Sequence, residues 1–427
     1  MAGTNGRGGG ERRRVVITGM GAITPLGQDI ESFWQGLAAG RSGIDWMTLA
    51  DTTNYPTKVA GEVKDWRPEQ LIDRKEARRM ARFSQFAVAA AGQAITDAGL
   101  ALDGMDRTRI GVYLGNGNGG YPNIDEAVRT IIARGGMRMD PLFMPKSLPN
   151  MAAAQVSLQY GLKGYNGTMV TACAAGTQAV GEAAEVIRRG KADIILSGGA
   201  EAGIGELGLA AFCVMRAMSA RADDPTKASR PFDAGRDGFV PGEGAAIFVL
   251  EALEHALARG AHIFCELTGY AATADAYHIV APCADGEGAS RAMQWALEDA
   301  GRTVTDVDYI NAHGTSTPMN DAAETKAIKA LFGEQAYTVP ISSTKSMIGH
   351  AFGASGALEL VACVKAIETG VIHPTVNYET PDPECVLDYV PNTARRTNVE
   401  LVLKNSFGFG GQNACLVLEK YAPADGN

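Results

Sequence analysis

The sequence predicts an α/β fold built from two similar halves. Short apolar runs typical of buried strands alternate with runs of helical spacing, and this alternation occurs twice along the chain. The chain has 427 residues, more than the roughly 250 to 300 residues at which one hydrophobic core stops growing. Apolar strands alternating with helices indicate a mainly parallel sheet covered on both faces. We therefore predict a duplicated α/β unit with its halves joined around residues 255 to 270.

The first half is expected to span residues 14–262. Residues 1–13 before it are glycine-rich and basic without the apolar core of a signal peptide, so we expect a mobile tail. Strands are predicted at 15–21, 109–114, 167–171, 192–197 and 245–250. Helices are predicted at 30–39, 83–97, 124–134, 150–160 and 174–189. The alanine-rich helix at 83–97 suits close packing on its neighbours.

The second half, residues 263–427, repeats this order. Strands are predicted at 264–270, 309–312, 339–342, 401–404 and 414–419. Helices are predicted at 287–300, 321–332 and 353–369. The similarity of the halves is one of pattern, because their letters show little resemblance.

Composition excludes several classes of function. The net charge of −9 and the pI near 5.3 argue against nucleic-acid binding, which needs a positive surface. No apolar run reaches the roughly 18 residues of a membrane span. The seven cysteines form no Cys-x-x-Cys pair and no cluster with histidine, so we expect no metal site and a reduced, cytoplasmic protein.

Cys173 is a candidate nucleophile between a strand-like and a helix-like run, in Gly-Thr-Met-Val-Thr-Ala-Cys-Ala-Ala-Gly-Thr. A thiol at a helix N-terminus feels the helix dipole and free backbone N–H groups, which favour the thiolate. Small residues on both sides leave room for a substrate. Most free cysteines are small buried hydrophobes. That description fits Cys213, Cys265, Cys363 and Cys415. By itself Cys173 is equally compatible with core packing and with thioester formation.

Two histidines and a lysine follow predicted strands of the second half. His313 lies in Asn-Ala-His-Gly-Thr-Ser-Thr-Pro, just beyond a strand, and Lys345 and His350 leave the next strand together before a helix. The carboxyl ends of parallel strands are where α/β proteins gather functional residues. We therefore predict a site there, although Lys345 taken alone fits an ion-pair residue equally well.

Two glycine-rich segments are candidate pocket walls or lids. Residues 114–120 formally match a dinucleotide-binding pattern, but Tyr-Pro-Asn separates them from the next helix and the required acidic residue is missing. We therefore favour a turn or pocket wall. Residues 405–413 are either a tight hairpin or a lid in which glycines let Phe407 and Phe409 swing over an apolar tunnel.

Together these motifs resemble those of the β-ketoacyl-acyl-carrier-protein synthases, and most of all the elongating type II. The resemblance rests on Thr-Ala-Cys at 171–173, Asn-Ala-His-Gly-Thr at 311–315, Thr-Lys-Ser-Met-Ile-Gly-His at 344–350, Gly-Phe-Gly-Gly-x-Asn at 408–413 and the segment 229–244. It extends from residue 14 to residue 420. It implies a thiolase-like fold whose duplicated halves form α-β-α-β-α layers, and a homodimer whose pockets meet near the interface.

The resemblance also implies the reaction. An acyl group moves from acyl carrier protein to Cys173, malonyl carrier protein loses CO2, and the resulting carbanion attacks the acyl thioester. The product is two carbons longer. We expect no permanently bound cofactor, because the phosphopantetheine arm of the carrier brings the substrates.

Catalytic roles follow from the same resemblance. Cys173 is the nucleophile, and its N–H forms an oxyanion hole with that of Phe407. Neutral His313 and His350 donate hydrogen bonds to the malonyl thioester oxygen as negative charge develops there. Phe407 and Phe409 belong to the gating loop.

Further residues are assigned to support and to substrate binding. Lys345 is expected to support the histidine region electrostatically, with Glu359 as its partner. The substrate-binding set is Thr315, Thr317, Phe212, Asn118 and Glu359. The two threonines would contact the phosphopantetheine arm, and Phe212 the acyl chain.

Asn118 departs from the family, in which this position is usually apolar and lines the acyl tunnel. A polar side chain buried there needs a hydrogen-bond partner or costs about 1 to 3 kcal/mol. We hypothesise that Asn118 alters chain preference, towards functionalised or shorter acyl groups.

Docking of the acyl carrier protein requires positive charge on an otherwise acidic enzyme. Lys75, Arg78 and Arg79 match the family's docking helix, and Arg138 and Arg216 extend the patch. The alternative is an ordinary solvated helix face.

Other readings are less well supported. A degradative thiolase needs a second catalytic cysteine, and Cys415 lacks the expected glycine run. Priming synthases that use coenzyme A pair cysteine with histidine and asparagine, whereas this chain offers His313 and His350. A non-catalytic chain-length subunit usually lacks the nucleophile. A ketosynthase subunit of a type II polyketide or polyene pathway would carry the same site residues, and this alternative stays open.

Overall fold

The computed structural model describes residues 12–423, which are arranged around a 10-stranded sheet. The strands are β1 Val15–Ile23, β2 Asp45–Trp46, β3 Val59–Ala60, β4 Ile110–Gly115, β5 Asn166–Met169, β6 Ile194–Glu201, β7 Gly244–Ala252, β8 Cys265–Ala274, β9 Tyr309–Asn311, β10 Ile341–Ser342, β11 Val371–Ile372, β12 Arg395–Arg396, β13 Leu401–Gly408 and β14 Gln412–Glu419. The helices are α1 Ile30–Ala38, α2 Arg74–Ala77, α3 Arg82–Asp97, α4 Tyr121–Arg134, α5 Phe143–Ser147, α6 Met151–Tyr160, α7 Ala175–Arg188, α8 Glu206–Val214, α9 Leu253–Ala258, α10 Glu287–Ala300, α11 Pro318–Phe332, α12 Lys345–Ile348 and α13 Ser355–Thr369.

The large sheet consists of two halves with the same strand order. The strand order across the sheet is β10-β9-β13-β14-β8-β1-β7-β6-β4-β5. When the five sheet strands of each half are numbered along the sequence and read from the sheet edge inward, both halves give the order third, second, fourth, fifth and first. The strand directions also match between the halves. The halves meet where β1 pairs with β8 at Val16↔Glu266 and Ile17↔Cys265. This correspondence supports our proposal of duplicated halves spanning 14–262 and 263–427.

The prediction of a mainly parallel sheet is wrong. The pairs β4–β5, β4–β6, β9–β10 and β9–β13 are parallel, but the remaining pairs of the sheet are antiparallel. Antiparallel β1 and β7 are buried along their whole lengths, as parallel strands between helix layers would be. An apolar strand sequence therefore indicates that both faces of the strand are covered, but it does not indicate the direction of the strand.

Three hydrophobic clusters define five layers. One cluster joins α3 and α6 to the first half of the sheet, another joins α10 and α11 to the second, and the largest holds α7 and α13 between the halves. Both central helices contact strands of the two halves. The predicted α-β-α-β-α layering is confirmed.

The two central helices cross in close contact. A Cβ atom on Gly356 of α13 would lie 2.6 Å from the Thr177 backbone nitrogen, and one on Gly176 of α7 would lie 2.7 Å from the Gly353 carbonyl oxygen. Such distances are shorter than any tolerated contact, so only glycine allows this approach. The crossing brings the start of α7 next to the segment that precedes α13.

Part of the predicted tail is ordered by ion pairs. Residues 1–11 lie outside the described residues, but Arg12 pairs with Glu185 and Asp299, and Arg13 with Asp193. Arg13 also donates hydrogen bonds to backbone carbonyls. The expectation of a mobile segment up to residue 13 is therefore wrong for its last two residues, whose side chains reach carboxylates distant in sequence.

We predict that Gly356→Ala lowers the free energy of unfolding by about 1 to 3 kcal/mol, because the added methyl group overpacks the crossing of α7 and α13. Urea denaturation followed by circular dichroism measures this change. Gly136→Ala is the matched control, since a Cβ there meets nothing within 4 Å, and we expect a change within about 0.5 kcal/mol. Equal effects of the two substitutions would contradict the crossing as a constraint.

Candidate active site

A cavity of about 350 Å³ lies at the meeting point of the two halves. Among the predicted site residues that line it are Cys173, His313, His350, Phe407, Phe409, Thr315, Thr317, Phe212, Asn118 and Arg216. A cavity of this size and largely apolar lining is typical of sites for small ligands. Residues from distant parts of the sequence therefore converge here as predicted.

Cys173 lies in the 3-10 turn Ala172–Ala174, immediately before α7. The preceding Ala172 has φ 49°, an uncommon conformation for a residue other than glycine. The sulfur of Cys173 lies 2.9 Å from Nε2 of His350. The cysteine that sequence reasoning left undecided thus faces a histidine of the other half.

The expected thiolate is not the resting form of Cys173. Burial raises the pKa of the thiol to about 12, against the opposing effects of the Lys345 charge and of the Phe409 N–H that points at the sulfur. Desolvation outweighs any benefit of the helix N-terminus. At neutral pH the group is a thiol, so its proton must move to a neighbour before it can act as a nucleophile.

His350 is held on both ring nitrogens. Nε2 faces the Cys173 sulfur, and Nδ1 lies 2.8 Å from the hydroxyl oxygen of Ser355. A serine hydroxyl can donate or accept, so the ring can carry its proton on either nitrogen. Sequence reasoning missed Ser355, which lies only five residues after His350 at the start of α13.

His313 has a defined tautomer. The ammonium nitrogen of Lys345 lies 3.3 Å from Nδ1 of His313 and also donates a hydrogen bond of 2.6 Å to the His313 carbonyl oxygen. An ammonium group can only donate, so Nδ1 accepts and the proton of the neutral ring lies on Nε2. Glu324 anchors this loop by accepting from the N–H groups of His313 and Gly314.

Both histidines are uncharged. Burial and the positive charge of Lys345 lower the pKa of His313 well below its usual value, and the same two causes act on His350. The rings lie 5.5 Å apart between centroids, edge to face. Two neutral imidazoles therefore face one cavity and can offer N–H groups to a substrate oxygen.

A buried charge cluster lies behind His313. Glu359 pairs through one carboxylate oxygen with Lys345 and through the other, at 2.6 Å, with Lys404. All three side chains are at most 1% exposed. Glu359 does not line the cavity, so its assignment to substrate binding is wrong, while its expected partnership with Lys345 is confirmed. Lys404 was missed, although a lysine directly after the apolar run Leu401–Leu403 was a visible signal.

The backbone N–H that points at the Cys173 sulfur is not that of Phe407. The N–H that faces the Cys173 sulfur belongs to Phe409, whereas Phe407 lies within β13 opposite Asn413. A Cβ on Gly408 would lie 3.2 Å from the Cys173 nitrogen, so glycine permits this close approach. The position of the donor depends on where β13 ends, which the sequence pattern placed four residues too early.

The acyl-pocket residues form an aromatic wall. Phe212 stacks on Phe352 at 5.0 Å and lies 6.4 Å from Phe409, between ring centroids. Asn118 lines the same cavity. Within residues 12–423 no hydrogen bond of the Asn118 side-chain amide is found, so the group is available to a ligand.

The glycine-rich segment before α4 is a pocket wall, as favoured. Gly117 and Asn118 line the cavity, and both donate backbone N–H groups to buried Glu201. One reason given against a dinucleotide site is wrong, however, because α4 begins at Tyr121 directly after the glycines. A proline at the second helical position is compatible with helix initiation, since no partner is required there.

The remaining predicted residues line the cavity or lie on the surface. Thr315 and Thr317 line the cavity, with their hydroxyl oxygens 2.9 Å apart. Lys75, Arg78, Arg79, Arg138 and Arg216 are exposed. Arg79 pairs with Glu76, which leaves Lys75 and Arg78 the freer charges of the α2 region.

Two kinds of feature are absent from residues 12–423. No helix between residues 12 and 423 is long and apolar enough to cross a membrane. In the same part of the chain, no three histidine, cysteine or acidic side chains are grouped to hold a metal ion.

Two family profiles match the chain. "Beta-ketoacyl synthase, N-terminal domain" matches residues 12–256, and "Beta-ketoacyl synthase, C-terminal domain" matches residues 264–379. The 3-oxoacyl-[acyl-carrier-protein] synthase 2 of Synechocystis sp. is 50% identical over 96% of this chain and 99% of its own length. The protein of the same name from Staphylococcus aureus (strain N315) is 49% identical over the same shares.

Solved structures agree with these relatives. The ishigamide ketosynthase/chain length factor has a TM-score of 0.91 at 39% identity, and a β-ketoacyl synthase from Burkholderia phymatum has 0.89 at 39%. A type II PKS acyl-carrier protein in complex with its ketosynthase gives 0.88 at 36%. Each match covers 96% of this chain and 100% of the other. With its Cys-His-His cavity and thiolase-like layers, the chain belongs to the β-ketoacyl synthase family of condensing acyltransferases.

Proposed function

We propose that this protein is an elongating 3-oxoacyl-acyl-carrier-protein synthase of fatty acid synthesis. The proposal rests on the contact of 2.9 Å between the Cys173 sulfur and Nε2 of His350, in a cavity that His313 also lines. A thiol beside one neutral histidine, with a second neutral histidine in reach, suits acyl transfer followed by decarboxylative condensation. The relatives named 3-oxoacyl-[acyl-carrier-protein] synthase 2 share about 50% of their residues with this chain over 96% of its length.

In the first stage Cys173 takes the acyl group. His350 accepts the thiol proton on Nε2 while the sulfur attacks the acyl-carrier thioester. The N–H groups of Cys173 and Phe409 stabilise the tetrahedral oxyanion. The departing phosphopantetheine thiolate recovers the proton, so the acyl group and one proton have exchanged places between two sulfur atoms.

In the second stage malonyl carrier protein enters. The bond to its carboxylate breaks, CO2 leaves, and the electron pair forms an enolate at the thioester. His313 donates its Nε2–H to the enolate oxygen, and so does His350 once its single proton has shifted from Nδ1 to Nε2, which leaves Nδ1 to accept from the Ser355 hydroxyl. One such donor is worth about 3 kcal/mol. The enolate carbon attacks the acyl thioester, and Cys173 leaves as a thiolate that is reprotonated from solvent.

The carrier protein is the partner that delivers both substrates. Thr315 and Thr317 contact its phosphopantetheine arm, and Phe409, flanked by Gly408 and Gly410, is the gating side chain. Exposed Lys75, Arg78 and Arg79 attract the acidic carrier, with Arg138 and Arg216 extending the patch. The chemistry requires no further cofactor, and the reduced cysteines fit a cytoplasmic enzyme.

The protein functions as a homodimer. Strand β5 is the edge of the sheet, and an unpaired edge is a ready site for a second copy. The α4–α6 region next to it exposes large apolar side chains, which a partner would cover: Val128, Ile131, Ile132, Met137, Met144, Leu148 and Leu158.

A ketosynthase of a polyketide or polyene pathway is the second candidate function. The polar Asn118 amide in the acyl pocket favours it, because functionalised chains carry polar groups that such an amide can bind. Structural neighbours include ketosynthases whose names refer to ishigamide and to a hexaketide. Their lower identity, 36% to 39% against about 50%, favours fatty acyl elongation.

We predict that purified protein incubated with acyl carrier thioesters gains one acyl group on Cys173, detected by intact-protein and peptide mass spectrometry. Addition of malonyl carrier protein should discharge the adduct as a chain two carbons longer. Cys173→Ala should abolish both signals, because the nucleophile is absent. Cys283→Ala is the control, and its adduct should remain. An adduct that persists in Cys173→Ala would refute the assignment.

We predict that Asn118→Ile changes the chain-length profile. The apolar side chain should raise kcat/KM for long saturated acyl groups about 10-fold, because such a chain would cover the half-buried Asn118 amide without offering a partner, at a cost of about 1 to 3 kcal/mol. Acyl carrier thioesters of graded length and with a polar substituent provide the series. An unchanged profile would show that Asn118 does not select the substrate.

We predict that the double substitution Arg78→Glu and Arg79→Glu raises KM for acyl carrier protein about 10-fold while kcat changes little, since opposite charges bring the carrier to the mouth. Higher salt should reduce the difference. Lys191→Glu, at another exposed position, is the matched control. An unaltered KM in the double variant would place carrier docking elsewhere.

A further inference from the structure

Lys404 is a buried cation for which the reaction described above has no role. Its ammonium nitrogen lies 2.6 Å from Oε2 of Glu359, 2.6 Å from the Asn405 carbonyl oxygen and 2.6 Å from the Ser406 hydroxyl oxygen. The side chain is fully buried in the centre of the fold. Burying an ammonium group is costly unless the group is paired and fully hydrogen-bonded. The three acceptors explain how the Lys404 charge can be buried, but they do not explain what the charge does.

The contacts of Lys404 reach the elements that carry the site. Through Glu359 it connects to Lys345, which contacts Nδ1 and the carbonyl oxygen of His313. Through Ser406, whose hydroxyl oxygen lies 2.8 Å from that of Thr177, it connects to α7, the helix that follows Cys173. Ser406 also precedes the turn that contains Phe409.

The charges around Lys404 do not balance. Lys345 and Lys404 are both held by the single carboxylate of Glu359. Two other buried carboxyl groups face the site: Glu324 behind His313, and Glu201 beneath Gly117 and Gly353. Burial raises the pKa of each to about 7, so at pH 7 each is about half ionised and together they offset about one positive charge; below pH 7 they become neutral and leave the excess uncompensated. The other titratable groups that interact with the cluster are Cys173, Tyr309, His313, His350, Cys363, His373 and Cys415.

An excess of positive charge has a chemical use here. Cys173 leaves as a thiolate and the malonyl thioester becomes an enolate, so both stages develop negative charge in the cavity. Positive charge fixed nearby in a dry interior stabilises such states without reorganisation. It also opposes protonation of the histidines, and the charge of Lys404 contributes to lowering the pKa of His313 and of His350.

We propose that Lys404 is a positioning residue that holds Glu359 against Lys345 and gives the buried cluster beside Cys173 its excess positive charge. Glu359 would otherwise pair with Lys345 alone, and the cluster would be neutral. The inference rests on the proposed roles of Cys173 and the two histidines, but its first test needs no substrate.

The test is a pH titration of the histidines by NMR in protein carrying 13C-labelled histidine, of which the chain has six. In the wild-type protein His313 and His350 should stay uncharged at pH values well below the ordinary histidine pKa of about 6.5. In Lys404→Met the pKa of at least one of them should rise by about one unit, because a repelling charge is lost. A wild-type His313 or His350 that titrates near its ordinary pKa would overturn the proposal without any variant.

Kinetics provide the second measurement. For Lys404→Met we expect kcat to fall about 10- to 100-fold with KM for acyl carrier protein within about twofold, and the acid limb of the decarboxylation rate to move to higher pH. A merely structural lysine would lower Tm and leave the pH profile in place. If Cys173 is acylated normally while the histidine titrations of wild type and variant coincide, the role of Lys404 is wrong and the proposed function survives.

Three further variants complete the design. Lys365→Met is the matched control, since this largely buried lysine of α13 pairs with Glu368 outside the cluster. Ser406→Ala removes an acceptor but keeps the ammonium, so its histidines should titrate as in wild type. Lys404→Gln removes the charge while retaining a hydrogen-bond donor, and it decides the question if Lys404→Met does not fold. Wild-type titration in Lys404→Gln, or the same shift in Lys365→Met, would contradict the proposal.

Discussion

The close crossing of α7 and α13 is the constraint on which the site depends. Cys173 precedes α7 in the first half, and His350 precedes α13 in the second. The sulfur can lie within 2.9 Å of the imidazole because Gly176 and Gly356 let the two helices touch through their backbones. The five layers hold this crossing between the two halves of the sheet, so the core positions the chemistry directly.

Burial sets the protonation states of the cavity. It leaves Cys173 as a thiol, where a helix N-terminus alone would favour the thiolate, and it keeps both histidines uncharged to lower pH than histidines in water. The same exclusion of water strengthens the electrostatic effect of each fixed charge behind the cavity, because water does not screen it. A thiol, two neutral imidazoles and a positive cluster form a set in which each member depends on the exclusion of water.

Most of the fold and the main catalytic residues were predictable. The apolar runs have lengths that distinguish strands from helices. The motifs around Cys173, His313, Lys345 and His350 show the resemblance to the family. Strand directions were not predictable, since strands buried on both faces are apolar whichever way they run. The N–H that faces the Cys173 sulfur was expected at Phe407 and lies at Phe409, because the end of β13 depends on its pairing with β14, a tertiary contact.

The sequence by itself determined the class of fold, the duplicated order of elements and the residues that perform the chemistry, since these follow from periodicity and from local motifs. Only the tertiary structure decided which atoms face one another. It turned the Phe409 N–H toward the sulfur, removed Glu359 from the cavity and placed Lys404 beside it. It also set the protonation states, because hydrogen-bond geometry and desolvation arise between segments that are distant in sequence and have no local signal.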